Sequence, residues 1–268
     1  KQALTMCMGL GCNAAAVVGC RIIDSPRERL IAMLTNVFMP CNGRFPMMIA
    51  LIGLFLVPTG LLAALLLAGV IVLGALATFG VSRLLSATLL RGVPSAFTLE
   101  LPPFRRPRVG QVIVRSVVDR TLRVLGRAAL IAAPAGLVIW LLANVPAPGG
   151  TLLSACVSAL DPVGRFLGMD GALLMAFLLA LPANELTLPL ALLAYTSGGT
   201  LLRMEDAQAL GALLRANGWT WLTALNAILF SLFHWPCSTT LLTIARETRS
   251  AKWTLVGALL PTLVGAGV

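Results

Sequence analysis

Residues 61–85 read LLAALLLAGVIVLGALATFGVSRLL, and this stretch decides the fold class. Its one charged residue, Arg83, lies close to its end. About 20 mainly apolar residues in sequence are enough for one helix to cross the hydrocarbon core of a bilayer. We therefore predict a membrane-spanning helix from about Leu61 to Leu85.

The composition of the whole chain agrees with this interpretation. Of its 268 residues, 58% are hydrophobic and 11% are charged, with a mean hydropathy of +0.93. A soluble globular domain carries about 25% charged residues, so a soluble surface cannot be built here. The net charge of +10 is spread between apolar stretches, as in the cytoplasmic loops of membrane proteins. The partner predicted for this surface is therefore a lipid bilayer and not a nucleic acid.

Further apolar stretches predict further spans, several of them broken by proline. A short or irregular span begins at Phe45 and is interrupted at residues 57–60, before the long span. The other predicted spans are 128–145, 171–196, 219–244 and a truncated one at 253–268. Ala3–Gly19 resembles a partial or re-entrant segment. The predicted fold class is thus an all-α, polytopic transmembrane helical protein with broken or re-entrant helices.

The most basic stretch separates the two halves of the chain. It runs from Arg91 to Arg127 and contains Arg105, Arg106, Arg108, Arg115, Arg120 and Arg123. Loops rich in arginine and lysine stay on the cytoplasmic side, so we expect this loop in the cytoplasm. Nearer the start, Ser25 before Pro26 predicts the beginning of a helix that lies on the membrane surface.

A weak internal repeat suggests a symmetry. Cys12 stands nine residues before Arg21, Cys237 stands nine residues before Arg246, and a short charged run follows each arginine. Counting spans from a cytoplasmic basic loop places the two charged runs on opposite sides of the membrane. This pattern is typical of an inverted-topology repeat, which we carry forward as a hypothesis.

Glu185 is the sharpest chemical signal. It lies in LPANELTLP (residues 181–189), near the middle of a predicted span and between two prolines. A carboxylate inside a membrane is costly unless it is paired, protonated or bound to a metal. We expect Glu185 to have a functional role. The alternative is a structural glutamate that is hydrogen-bonded to a neighbouring helix.

Three thiols lie on helices that glycine or proline interrupts. Cys12 follows GLG (residues 9–11) and precedes Asn13, Cys41 follows Pro40, and Cys237 follows Pro236. Pro236 also leaves a carbonyl near residue 232 without an amide partner. Thiols and carboxylates on discontinuous helices suit a borderline transition metal such as Fe²⁺, Mn²⁺ or Zn²⁺. Buried structural cysteine is the alternative for these thiols.

Two weaker candidates accompany these ligands. Asn13 follows Cys12, and His234, the single histidine, precedes the Pro236 break. A lone histidine is more often a hydrogen-bonded structural residue. No GxSxG, HExxH or P-loop motif occurs in the sequence, so we expect a transporter part that is not itself an enzyme.

Six motifs together resemble the bacterial ferrous-iron transport protein B family. They are GLGCN (9–13), RIIDSPRERL (21–30), PCNGRFP (40–46), ELPPF with Arg105-Arg106-Pro107 (100–107), PANE (182–185), and Pro236-Cys237 with Arg246-Glu247. The resemblance departs from the usual family pattern at Ala14-Ala15, Asn184 and His234, which affects the exact ligand set.

The resemblance implies a function and a set of partners. It implies Fe²⁺ uptake across the bacterial inner membrane by a multi-pass protein, with Fe²⁺ as the cargo and no permanently bound cofactor. The metal path would use Cys12, Cys41, Glu185 and Cys237. A GTPase domain of the same full-length protein and small accessory Feo proteins would be partners, and association into a homo-oligomer is left open.

The resemblance also divides the chain into parts. Residues 1–45 would end a first gate repeat and include the surface helix, and residues 46–90 would hold two spans. Residues 91–127 would form the basic cytoplasmic loop, and residues 128–268 a second gate repeat with four spans. Two other functions stay open: a gate-type nucleoside or solute permease in which Glu185 binds a solute or a proton, and a membrane scaffold that transports nothing.

Overall fold

The protein is described by a computed structural model that covers residues 1–57, 60–88, 90, 109–114, 117–118, 122–147, 150–196 and 207–267. The helices in this part are Gln2–Gly11 (α1), Asn13–Gly19 (α2), Pro26–Thr35 (α3), Phe45–Leu51 (α4), Leu61–Ala87 (α5), Val109–Val114 (α6), Arg123–Asn144 (α7), Leu152–Phe166 (α8), Gly171–Leu179 (α9), Thr187–Tyr195 (α10), Ala207–Ala216 (α11), Trp221–Phe233 (α12), Ser238–Thr248 (α13) and Ala251–Gly267 (α14). Two short antiparallel strands, Pro146–Ala147 (β1) and Gly150–Thr151 (β2), join α7 to α8. The all-α prediction is confirmed.

In the described part of the chain, three helical segments are long and apolar enough to cross a membrane. They are Pro26–Leu56, Leu61–Ala87 and Trp221–Thr248. A fourth crossing is added if α8 and α9, which are bent by 106° relative to each other, count as one span. The predicted long span at residues 61–85 is confirmed as α5. Only 11% of its apolar 18-residue stretch is buried within the protein. Most of this helix is therefore left uncovered by the described part of the chain.

The broken spans follow the prolines and glycines, as predicted. α4 gives way to a π-helical segment, Ile52–Leu56, so this span is irregular. The stretch 171–196 divides into α9 and α10, and 219–244 divides at His234–Cys237. Most of the predicted basic loop, including residues 91–108, lies outside the described residues.

The helix predicted to lie on the membrane surface packs partly inside the protein, and its position relative to the membrane stays a prediction. It begins as expected, because Ser25 Oγ accepts the Glu28 N–H at 3.4 Å and Pro26 opens the first turn. Its second half, Ile31–Thr35, is buried against α5 and α14 and continues into a candidate span. The charged residues of the first turn suggested a surface location, but the apolar residues that follow decide the packing.

The hypothesis of an inverted repeat is wrong for the two segments that suggested it. Arg21 follows α2, and its Nη2 and Nε lie 2.5 and 2.8 Å from the two carboxylate oxygens of Glu247 in α13. α2 packs along α13, each helix starts at its cysteine, and the charged runs meet at the same end. The helices therefore run in parallel. The span count failed because it treated bent and broken stretches as complete crossings.

The core lies where the broken segments meet. The Phe177 ring in α9 is 5.0 Å from Phe230 in α12, and Phe38 is 6.2 Å from Phe233. α12 also packs against α4 and α14. This aromatic cluster fixes the positions of the interruptions around it.

Candidate functional site

Four helix interruptions carry the candidate residues, and hydrogen bonds or side-chain contacts join three of them. The interruptions are Cys12 between α1 and α2, residues 39–44 before α4, residues 180–186 between α9 and α10, and residues 234–237 between α12 and α13. The Ser238 N–H donates to the Leu181 carbonyl at 2.8 Å, which joins the last two. We call this set the four breaks.

Cys12 and Cys237 occupy equivalent positions. Each is the residue that precedes the first turn of its helix, and both have extended backbone dihedrals, with φ −152° and ψ 120° at Cys12 and φ −59° and ψ 153° at Cys237. Because α2 and α13 are parallel, both thiols lie at the same end of the pair. The Cys237 Sγ also lies 3.2 Å from Thr240 Oγ1 in the first turn of α13.

Cys41 joins these two thiols from the second break. It precedes the 3₁₀ turn Asn42–Arg44, and the Cys237 thiol lies within electrostatic range of both Cys41 and Cys12. Cys12 is exposed, whereas Cys41 and Cys237 are half-buried. The fold thus places the three thiols on neighbouring segments, although they are far apart in the chain.

Glu185 lies on the 3₁₀ turn Asn184–Leu186, and its side chain is exposed at the surface of the described part. A Cβ built on Gly43 would lie 3.1 Å from the Glu185 Cγ and 3.4 Å from its Oε1. The carboxylate therefore lies against the turn that follows Cys41. The absent side chain of Gly43 makes this close approach possible.

Two buried polar atoms stand beside the thiols without a partner among the described residues. They are Oδ1 of Asn13, which follows Cys12, and Oγ of Ser238, which follows Cys237. An unpaired buried polar group costs about 1–3 kcal/mol, so such groups indicate a ligand or water. The sequence analysis included Asn13 but missed Ser238, whose signal was its place after the equivalent cysteine.

His234 belongs to the aromatic core. Its Nδ1 lies 2.9 Å from the Ser231 carbonyl, and its ring is 4.9 Å from Phe177 and 5.6 Å from Trp235. The side chain is 2% exposed. These contacts favour the structural alternative for His234.

Arg44 is a second residue that the sequence did not single out. It is 1% exposed, and its Nη1 donates to the Leu232 carbonyl at 2.7 Å. Its Nη2 donates to the carbonyls of His234 and Trp235 at 3.3 and 3.4 Å. The signal in the sequence was an isolated charge between two apolar stretches, together with the free carbonyl that Pro236 predicts.

The donors do not form a closed metal site. Within the described ranges, no group of three or more His, Cys, Asp or Glu side chains is placed to hold one ion. The thiols, the carboxylate and the unpaired oxygens are neighbours around the breaks without converging on a single point.

Comparisons with known proteins agree with this architecture. Residues 67–119 match the family model described as "Ferrous iron transport protein B C terminus", and residues 125–251 match the Gate model, described as "Nucleoside recognition". The resemblance to the C-terminal part of the FeoB membrane domain is confirmed. The two models together cover the larger part of α5 from residue 67 on, the second pair of breaks and Cys237.

Relatives match across nearly the whole chain. The Fe(2+) transporter FeoB of Staphylococcus aureus is 30% identical over 272 residues, which cover 97% of this chain and 38% of the relative. A fusion protein of Porphyromonas gingivalis, named Fe(2+) transport protein A/Fe(2+) transporter FeoB, is 28% identical over 94% of the chain and 35% of its own length. FeoB of Synechocystis is 27% identical over 95% of the chain and 40% of its own length. The chain thus spans about two fifths of these relatives, and no solved structure gives a significant match.

Proposed function

We propose that this chain forms part of the membrane pathway through which a bacterial transporter moves Fe²⁺ across the inner membrane into the cell. The observation that supports the proposal most is that three breaks with thiols are neighbours, because α2 packs along α13 and Arg44, in the turn after Cys41, bonds the carbonyls just before Cys237. The names of the relatives supply the cargo, because each is called an Fe(2+) transporter.

The chemistry of the donors fits Fe²⁺ as a cargo. Thiolates favour Fe²⁺ and Zn²⁺ over Mg²⁺ and Ca²⁺, whereas carboxylate and amide oxygens bind all of these ions. Asn13 Oδ1 and Ser238 Oγ, beside two of the thiols, have no partner among the described residues, so they are available to accept an ion. Conduction requires sites that bind an ion strongly enough to admit it and weakly enough to release it.

Glu185 takes part in this pathway as its carboxylate. It is exposed, and it lies against the turn that follows Cys41. A negative charge here would attract a cation and pass it to the thiols. Metal ligation in this proposal therefore involves Cys12, Cys41, Cys237 and Glu185, with Asn13 as a further oxygen donor and His234 left in the core.

Coupling and partners extend the proposal. The chain acts in it as a transporter part without an enzymatic activity of its own, and a GTPase domain of the same protein drives transport. The Porphyromonas gingivalis relative is named as a fusion with Fe(2+) transport protein A, which supports contact with a small accessory protein.

Radiolabelled Fe²⁺ uptake tests the function. We expect the full-length protein that contains this chain to restore uptake under reducing conditions in bacteria that lack their own ferrous-iron transporters. Replacement of Cys12, Cys41 and Cys237 by Ser should lower uptake at least tenfold while the amount of protein in the membrane stays the same. The matched control is replacement of Cys7 and Cys156, which lie in α1 and α8, and it should leave uptake unchanged. Normal uptake by the triple variant would contradict the proposal.

One observation supports a second candidate function, a nucleoside permease. The Gate model carries the description "Nucleoside recognition", so the same cells should also be tested for uptake of labelled nucleosides. Nucleoside uptake that depends on Glu185 but not on the thiols would favour the permease. Absence of both activities, with the protein present in the membrane, would favour the scaffold.

A further inference from the structure

Arg44 carries a buried charge that no carboxylate compensates among the described residues. Its side chain is 1% exposed, and all of its described side-chain hydrogen bonds go to backbone carbonyls. Its Nε has no partner in this part of the chain. A guanidinium within a membrane protein is costly and is retained where it interacts with specific groups.

The carbonyls that surround Arg44 lie at the end of α12, where Pro236 interrupts the helix. In a continuous helix the Leu232 carbonyl would accept the N–H of residue 236, but proline has no N–H. Arg44 Nη1 takes that place at 2.7 Å, and Nη2 reaches the next free carbonyls, those of His234 and Trp235. Because the C-terminal end of a helix carries partial negative charge, the guanidinium acts there as a resident cation.

The same residue is tied to Cys41. The Arg44 backbone N–H donates to the Cys41 carbonyl at 2.9 Å and closes the 3₁₀ turn Asn42–Arg44. On the other side, the carbonyl of Trp235 is only two residues before Cys237. Both thiols lie within electrostatic range of the guanidinium. One side chain therefore bridges two breaks that carry thiols.

We propose that Arg44 is a positioning residue that holds the Cys41 and Cys237 thiols in register. It also occupies the carbonyl oxygens of the α12 end, so that thiols are the donors left for a passing ion. The identification of these thiols with an ion path rests on the proposed function. Lysine should replace Arg44 only in part, because an ammonium is a compact charge that cannot match the planar fork of a guanidinium across three carbonyls.

A cross-linking assay tests this role without any iron. In the full protein in its membrane, the other four cysteines of this chain are replaced by Ala, which leaves Cys41 and Cys237. Dibromobimane becomes fluorescent when it links two thiols, and the rate of fluorescence gain is measured for Arg44, Arg44→Lys and Arg44→Met. We expect a rate at least tenfold lower in Arg44→Met and an intermediate rate in Arg44→Lys.

Two controls separate positioning from general damage. Arg29→Met removes another arginine that donates to a backbone carbonyl, from Nε to Ile23 at 2.9 Å, and should leave the rate unchanged. A reference pair, Arg21→Cys with Glu247→Cys in a background without the native cysteines, reports on the packing of α2 against α13. This pair should still cross-link when Arg44→Met is added.

The outcomes decide the proposal. A slower Cys41–Cys237 cross-link in Arg44→Met supports the proposal when the reference pair still cross-links. If Arg44→Met loses the reference pair, the same result in Arg44→Lys supports it. An unchanged rate overturns it, and so does loss of both links in both variants, because that result would assign Arg44 a general structural role. Failure of thiol dependence in iron uptake would remove Fe²⁺ as the cargo but would leave this cross-linking result in place.

Discussion

Arg44 Nη1 lies 2.7 Å from the carbonyl oxygen of Leu232, and the two residues are 188 positions apart in the chain. The carbonyl is free because Pro236, four residues later, cannot donate to it. A hydrogen bond that involves a charged group contributes about 1.5–3 kcal/mol, so this contact is strong enough to hold the second and fourth breaks together. The arrangement of the thiols depends on it.

The link between Pro236 and Arg44 predicts an energetic coupling. Pro236→Ala restores an N–H that can bind the Leu232 carbonyl, so Arg44 should matter less in that background. Thermal unfolding in detergent of both single variants and the double variant should give a coupling of about 0.5–3 kcal/mol, the range for residues that share a network. Strictly additive losses would show that Arg44 does not serve the carbonyl that Pro236 frees.

Glu185 should be sensitive to its charge more than to its size. Glu185→Gln keeps the shape but removes the charge, and we expect it to abolish Fe²⁺ uptake while the protein level is maintained. Glu185→Asp keeps the charge one methylene away and should retain partial uptake. If Gln is tolerated and Asp is the worse change, the side chain is a structural hydrogen-bonding group instead.

Gly74 in α5 should be needed for the position of the Cys41 break. A Cβ at Gly74 would lie 2.9 Å from Pro40 Cδ and 3.0 Å from the Phe38 carbonyl oxygen. Neither atom can move aside easily, because the oxygen belongs to the backbone and the proline ring is closed on its backbone nitrogen. Gly74→Ala should therefore lower Fe²⁺ uptake severalfold. Gly69→Ala and Gly80→Ala are matched controls in the same helix, since neither Cβ would meet an atom within 4 Å. Equal effects at the three glycines would contradict this explanation.

The parallel arrangement of α2 and α13 predicts that Arg21 and Glu247 face the same side of the membrane. Single cysteines at these two positions, in a background without native thiols, should react with an impermeant maleimide from one side only, and from the same side. Labelling of positions 21 and 247 from opposite sides would restore the inverted repeat.

A single cysteine at position 116, in place of Ser116, tests whether the basic loop is cytoplasmic. It should resist an impermeant maleimide that is added outside intact cells, and fast labelling from outside would reverse the predicted topology.

The sequence alone determined the fold class, the long span and the places where helices break. These features are local: the apolar stretch at 61–85 needs only its own length to cross a bilayer, and Pro236 frees the Leu232 carbonyl wherever the helix lies. The candidate thiols followed from the same local reasoning, because each stands beside an interruption.

Only the tertiary structure decided which breaks meet and in what direction. The Arg21–Glu247 ion pair showed that α2 and α13 are parallel. Counting spans could not establish this direction, because a bent or broken apolar stretch need not be a complete crossing. The tertiary structure also showed that Arg44 binds the free carbonyl of Leu232 and that Glu185 lies against Gly43. Such contacts join residues that no local pattern relates, because packing of the whole chain brings them together.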